Sequence, residues 1–357
     1  MKMIAFYLPQ FHRIPENDEW WGEGFTEWTN VKKSKPVFRG HYQPRIPLHQ
    51  NYYNLSDPDV MVWQMDLAKK YGIYGFCFYH YWFAGKKLLE KPVEDMLKNG
   101  RANLPFCLSW ANEPWTRTWD GKIGSREVLI GQDYGGKADW KEHFEYLLQF
   151  FKSPNYIKYH EKPVFLIYRA QNVEGLEEMM DYWQKLAKKS GLQGIAFFQM
   201  NTIYGYKKSA RGFDGIVDFE PVRTLALSKS FWALKCRFFL SCDFLPAKVK
   251  YSDILNEMVK DERLLDSKRF YGMFTGFDNA ARKGIKGLLI YKNSPESFGH
   301  FLDIQVKRSI AEGKEFLFIN AWNEWAEGAY LEPDERYGYG YLEAVKRVSV
   351  ENNLTDK

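Results

Sequence analysis

Short apolar runs recur along the whole chain, each bounded by a turn signal or by a stretch with helical spacing. Eight of them read as buried strands, at residues 4–7, 73–79, 105–110, 164–168, 195–199, 215–219, 271–275 and 316–320. Helical patterns lie between most of them. Ser56-Asp57-Pro58-Asp59 has the form of a helix start, with an acidic cap and a proline in the first turn, and Tyr71-Gly72 that of a helix end. Leu176, Met179, Met180, Trp183, Leu186 and Ala187 repeat along one face of an amphipathic helix that ends at Gly191.

Strand and helix alternating eight times, with strands that are apolar almost throughout, is the pattern of parallel β/α units covered by helices on the outside. The expectation is an α/β chain folded as one closed (β/α)8 barrel, a TIM barrel spanning residues 1–357 as a single domain. Two connections are long, residues 8–72 and about 223–268, and long loops after barrel strands usually build or cover the site. The second reads as a lid, a partner surface or a membrane-facing patch, and residues 225–245 are apolar enough to keep the last of these open.

Composition adds exclusions. The chain is 45% hydrophobic and 27% charged, which suits a globular protein with a large core rather than a disordered one. Fifty basic and 45 acidic residues are interspersed, giving a net charge of +5 without a basic stripe, so nucleic acid is a poor candidate partner. Cys77, Cys107, Cys236 and Cys242 have no CxxC spacing, and a disulfide scaffold is not expected. The chain enters a strand-like run at once with no leader pattern, which points to the cytoplasm, and no apolar run approaches the length of a membrane span. The unusual figure is 13 Trp, 23 Tyr and 27 Phe, more than a core needs, and flat aromatic faces suit sugar rings.

In β/α barrels, catalytic residues follow the strands at their C-terminal ends. The first strand runs toward Pro9-Gln10-Phe11-His12 from Tyr7, and the second runs into His80-Tyr81-Trp82. The third, ending at Trp110, runs into Asn112-Glu113-Pro114-Trp115, the sixth into Glu220-Pro221, and the eighth into Trp322-Asn323-Glu324-Trp325-Ala326-Glu327-Gly328. The last is the sharpest signal: two carboxylates three residues apart, wedged between tryptophans, can both enter the barrel mouth. Glycosidic cleavage uses such a pair, one protonating the departing oxygen while the other serves as base or nucleophile. The alternative is a pair of surface glutamates on a short helix. Glu113 reads as a substrate hydrogen-bonding group, with a catalytic role and a structural turn as alternatives. His80 is either a sugar contact or a satisfied core histidine. Trp20, Trp21 and Trp28, with Glu23 and Glu27, read as one wall of a glycan cleft or as loop packing. The expected substrate-binding set is Tyr7, Trp28, His80, Trp110, Asn112, Glu113, Trp115, Glu220 and Asn323.

Several motifs fail. Gly22-Glu23-Gly24-Phe25-Thr26-Glu27 lacks the last glycine of a dinucleotide fingerprint, and Asp57-Pro58-Asp59 is better explained by capping than by metal binding. There is no HExxH, P-loop, GxSxG elbow or His/Cys cluster, so no cofactor or metal is expected.

Ala5-Phe6-Tyr7-Leu8-Pro9-Gln10-Phe11-His12, Gly24-Phe25-Thr26-Glu27-Trp28-Thr29-Asn30-Val31, Ser109-Trp110-Ala111-Asn112-Glu113-Pro114-Trp115 and the segment 322–328 resemble the WbsX-like proteins, relatives of the endo-α-mannosidases of glycoside hydrolase family 99. The resemblance spans nearly the whole chain. It implies a (β/α)8 barrel and metal-free, retaining hydrolysis within an oligo- or polysaccharide, with an α-mannoside-like linkage favoured. It also implies that Glu324 takes the proton of the sugar 2-hydroxyl, through a 1,2-anhydro sugar. Glu327, with a raised pKa, would then protonate the leaving oxygen and afterwards activate water. WbsX-like proteins are also described as glycosyltransferases of surface polysaccharide assembly, O-antigen or capsule, so transfer is the rival activity. A non-catalytic carbohydrate-binding barrel is the third reading.

Overall fold

The computed structural model describes residues 1–101, 103–117, 127–202, 211–240, 245–260 and 267–354. Eight strands pair in parallel around a barrel: β1 (Lys2–Tyr7), β2 (Gly75–Phe83), β3 (Phe106–Trp110), β4 (Lys162–Ile167), β5 (Ala196–Asn201), β6 (Gly215–Asp218), β7 in two pieces (Arg269–Phe270 and Gly272–Phe274) and β8 (Phe316–Asn320). Sequential neighbours pair throughout, and the ring closes where Lys2 of β1 sits opposite Phe316 of β8. β7 is divided because its first piece follows β6 and its second follows β8, with Tyr271 between them. Glycine is required at 272, where a Cβ would lie 2.0 Å from the Asp218 carbonyl oxygen.

All eight expected strands are present, most of them within two residues of the expected bounds at each end, and two differ more. The seventh is split, and the second continues beyond Tyr79 through His80, Tyr81 and Trp82 to Phe83 before folding back on Lys86–Leu88. Its residues beyond the barrel thus form one arm of a hairpin, a continuation that an all-apolar run hides. The helix Pro58–Lys70 starts at Asp57, whose side chain accepts from the Asp59 N–H at 3.0 Å, and the helix Leu176–Lys189 turns out at Gly191.

Aromatic rings fill the barrel in layers, as bulky side chains do in this architecture. Phe198, Phe270 and Phe316 pack at one level, and above them Phe6 meets Phe219, Phe318 and Tyr79. Much of the aromatic excess is therefore core. Cys77, Cys107 and Cys236 are buried free thiols; Cys242 lies outside the described residues. The long second connection contains helices Val222–Leu227, Phe231–Leu240 and Tyr251–Val259 and the short strand Ala247–Lys250, with 241–244 and 261–266 outside the described residues. Among the described residues no helix is long and apolar enough to cross a membrane.

Candidate active site

At the C-terminal mouth of the barrel lies a cleft of about 350 Å³. Its lining comes from strand ends all round the rim: Leu8, Tyr79, Tyr81, Ala111, Glu113, Trp115, Thr116, Tyr168 and Phe219, with Arg282, Glu324 and Glu327.

The two glutamates belong to one tight turn. After β8, Asn323–Glu324 pairs in antiparallel fashion with Ala329–Tyr330, and a single 3-10 turn, Trp325–Glu327, joins them. Gly328 closes it in the left-handed region at φ 59°, and a Cβ there would meet the Arg45 guanidinium at 2.9 Å, so the turn requires glycine. Trp325 anchors the turn from behind. Its indole N–H donates to Glu332 Oε2 at 2.6 Å and its ring stacks on Tyr330 at 3.8 Å. Burial pushes the Glu332 carboxyl up to about 7, against the opposing effect of donors from Trp325, Gln64 and Tyr53.

Both carboxylates meet one guanidinium. Arg282 Nη1 lies 2.5 Å from Glu327 Oε1, Nη2 lies 3.4 Å from Glu324 Oε2, and Nε donates to Glu27 Oε1 at 2.9 Å. Glu27 opens the helix Glu27–Lys33 and is fully buried. Burial acts to lower the Arg282 pKa, but three facing carboxylates raise it further, so the cation is fixed. Burial and the charge of Glu327 drive the Glu324 carboxyl well above the ordinary carboxylate range, with Arg282 opposing.

The opposite wall carries Glu113, which accepts from Arg169 Nε at 2.7 Å, and Trp115, whose edge meets Tyr81 and Trp20. Burial raises the pKa values of Tyr79, Tyr81 and Tyr168, so these phenols remain protonated donors. Rings, hydroxyls and a carboxyl pair around a groove can stack on sugar faces, hydrogen-bond sugar hydroxyls and move protons.

Glu324, Glu327, Glu113 and Trp115 thus come together in the cleft. The other seven expected contacts do not line it. Tyr7 faces outward, between Phe76, Phe78 and Gln64, and its hydroxyl donates to Gln64 Oε1 at 2.6 Å. His80 also faces outward, its Nε2 2.8 Å from Nε2 of His143, and burial, with the charge of Lys87, lowers its pKa to about 3. Trp110 donates to the Trp82 carbonyl and packs on His143. Glu220 is buried against Thr224, which donates to it from N–H and hydroxyl, and burial pushes it up to about 7. Trp28 is loop core, packed on Phe11, Tyr52, Tyr53 and Trp325, rather than a cleft wall.

Asn112 and Asn323 are clamps. The Asn112 amide donates to the Arg169 carbonyl and accepts its N–H, at 3.0 and 2.7 Å; Asn323 does the same to Leu8 at 3.0 and 2.8 Å. Each replaces a ladder bond where a strand has ended, and so fixes the rim. The sequence reading missed Arg282, Tyr79, Tyr81, Tyr168, Thr116 and Phe219, and placed Glu27 only in a candidate wall. The available signal for Arg282 was indirect: buried carboxylates need a cation.

The fold is shared with solved structures of low sequence identity. The endo-α-mannosidase of glycoside hydrolase family 99 from Bacteroides thetaiotaomicron is 15% identical with a TM-score of 0.55, covering 99% of this chain and 98% of that one. A glycoside hydrolase-like protein is 13% identical with a TM-score of 0.57, covering 97% and 93%. In sequence, the uncharacterized protein WxcX of Xanthomonas campestris pv. campestris is 37% identical over 351 residues, 97% of this chain. The chain spans about half the length of that relative, 49%. Residues 3–345 match the family described as Glycosyltransferase WbsX, and the chain belongs to that family.

Proposed function

We propose that the protein is a retaining glycoside hydrolase that cleaves within an oligo- or polysaccharide, with an α-mannoside-like linkage favoured, as part of surface polysaccharide metabolism. The observation that carries this reading is the meeting of Glu324 and Glu327, from one turn, on Arg282 at the floor of an aromatic cleft.

In the first step Glu324 takes the proton of the sugar 2-hydroxyl as its oxygen attacks C1. The bond from C1 to the leaving oxygen breaks, and Glu327 donates its proton to that oxygen. In the second, Glu327 takes a proton from water as the water attacks C1, the anhydro ring opens, and Glu324 returns its proton to O2. The step requires the form of the pair in which Glu327 carries the proton; burial favours a proton on Glu324, so Glu324 must first give it up, and the carboxylate so formed is a strong base for a weakly acidic hydroxyl. Arg282 sits on both groups and offsets the charge that passes between them.

The family description favours one second reading. A sugar hydroxyl in place of water in the second step turns hydrolysis into transfer, with the same residues. Mass spectrometry of oligosaccharides, including α-mannans and bacterial surface glycans, incubated with the protein with and without sugar-nucleotide donors separates the readings. Hydrolysis predicts shorter chains without donor, with turnover falling by about 10²–10⁴-fold in Glu327→Gln. Lengthening that requires donor would make the protein a transferase, and glycan binding with no product would make it a lectin-like barrel.

A further inference from the structure

The helix Phe231–Leu240 inverts the usual surface pattern. Ala233 and Cys236 are buried, with Trp232 and Phe239 packed on the core, so the inward face is already satisfied. The outward face nonetheless carries Phe231, 81% exposed, Leu234, 55%, and Phe238, 65%; Leu240 and Leu245 are exposed as well. Exposed large apolar side chains scattered singly need no explanation, but clustered on one short helix they mark a surface that something covers. Arg237 holds the helix in place, donating to the carbonyls of Leu225 and Ser228.

Charge identifies the cover. Lys229, Lys235, Arg237, Lys248 and Lys250 are exposed on this helix and on the segments that flank it in the chain, against a single acidic residue in 221–250, Asp243, which lies outside the described residues. Glu257, on the next helix, is engaged by Ser228 Oγ at 2.6 Å. Phenylalanine and leucine ringed by cations is the composition of a helix that lies in the plane of a bilayer surface, rings among the acyl chains and ammonium groups among anionic headgroups. We infer that the helix Phe231–Leu240 docks the protein on an anionic lipid surface. The segment follows β6 in the chain, and Phe219, just beyond the end of β6, lines the cleft, so the docking helix belongs to a connection that leaves from the barrel mouth. A glycan carried on a membrane lipid would then meet the cleft without leaving the surface.

Co-sedimentation with vesicles tests this, using phosphatidylcholine alone and phosphatidylcholine mixed with phosphatidylglycerol. The full chain should partition at least tenfold more onto the mixed vesicles, and salt at about 0.5 M should weaken that binding because it screens the headgroup charge. Phe231→Glu with Leu234→Glu should lower the partitioning tenfold or more with an unchanged circular dichroism spectrum and melting temperature, since both side chains are exposed. Wild-type protein that stays in the supernatant with both vesicles overturns the proposal. So does a double variant that still binds, or a self-association that the double variant abolishes while lipid binding is absent.

Discussion

Arg282 is the residue on which the site's electrostatics depend. Glu27 and Glu324 are buried, Glu327 is partly so, and one guanidinium contacts all three. Removing one partner of a buried ion pair leaves an uncompensated charge, at a cost of about 3–5 kcal/mol. Arg282→Gln should therefore destabilise the fold by that order, and the sign of its pH dependence follows from linkage. Without the cation the carboxyls bind protons more tightly in the folded state, so folding takes up protons and acid restores stability. The deficit relative to wild type should be larger at pH 8 than at pH 5, as read from urea unfolding at the two values. An equal deficit at both would mean that the loss is packing alone. The same variant should lose turnover even where it is folded, because Glu324 and Glu327 would then repel one another.

At the scale of elements, strand positions were legible and strand faces were not. β2 reads Gly-Phe-Cys-Phe-Tyr-His-Tyr-Trp-Phe and every residue of it is buried, so no alternation of polar and apolar marks which side is inward. The cleft receives Leu8, Tyr79, Tyr81, Ala111, Glu113, Tyr168 and Phe219, whereas Tyr7, His80, Trp110, Asn112 and Glu220 are each one residue away from a lining residue. A shift of one residue moves a side chain to the other face. Glu324 and Glu327 escaped that ambiguity because they lie on a turn beyond the strand, where spacing of three rather than parity brings both to one side. Arg282 lies on the four-residue helix Ala280–Lys283, which has no periodicity to read. The split in β7 was likewise hidden, although Gly272 marks it. Alanine there would press its Cβ on the Asp218 carbonyl, and backbone cannot rotate away as a side chain can. Gly272→Ala should cost about 3 kcal/mol or more, while Gly131→Ala, with open space around its Cβ, should stay within about 0.5 kcal/mol. Equal effects in thermal unfolding would show that the β6–β7 seam yields.

At the scale of the whole molecule, the strand that closes the barrel is also the one that carries the carboxylates. β8 pairs with β1 from the other end of the chain and with the second piece of β7, and Asn323 then bonds both backbone groups of Leu8 just beyond β1. Glu27 and Arg282 reach the same turn from the first and the seventh connections. No part of the site can form until the ring is closed, and the turn has no stability of its own to retain once the ring opens. Loss of the site and loss of the barrel should therefore be one event. In urea, the signal from the buried Trp322 and Trp325, with the remaining tryptophans, should change at the same midpoint as far-UV circular dichroism, and activity should disappear there too. Activity lost at distinctly lower urea, with circular dichroism intact, would mean that the segment 321–332 detaches from a barrel that stays closed. In that case the Asn323 clamp and the Trp325 to Glu332 bond would be weaker than their geometry implies.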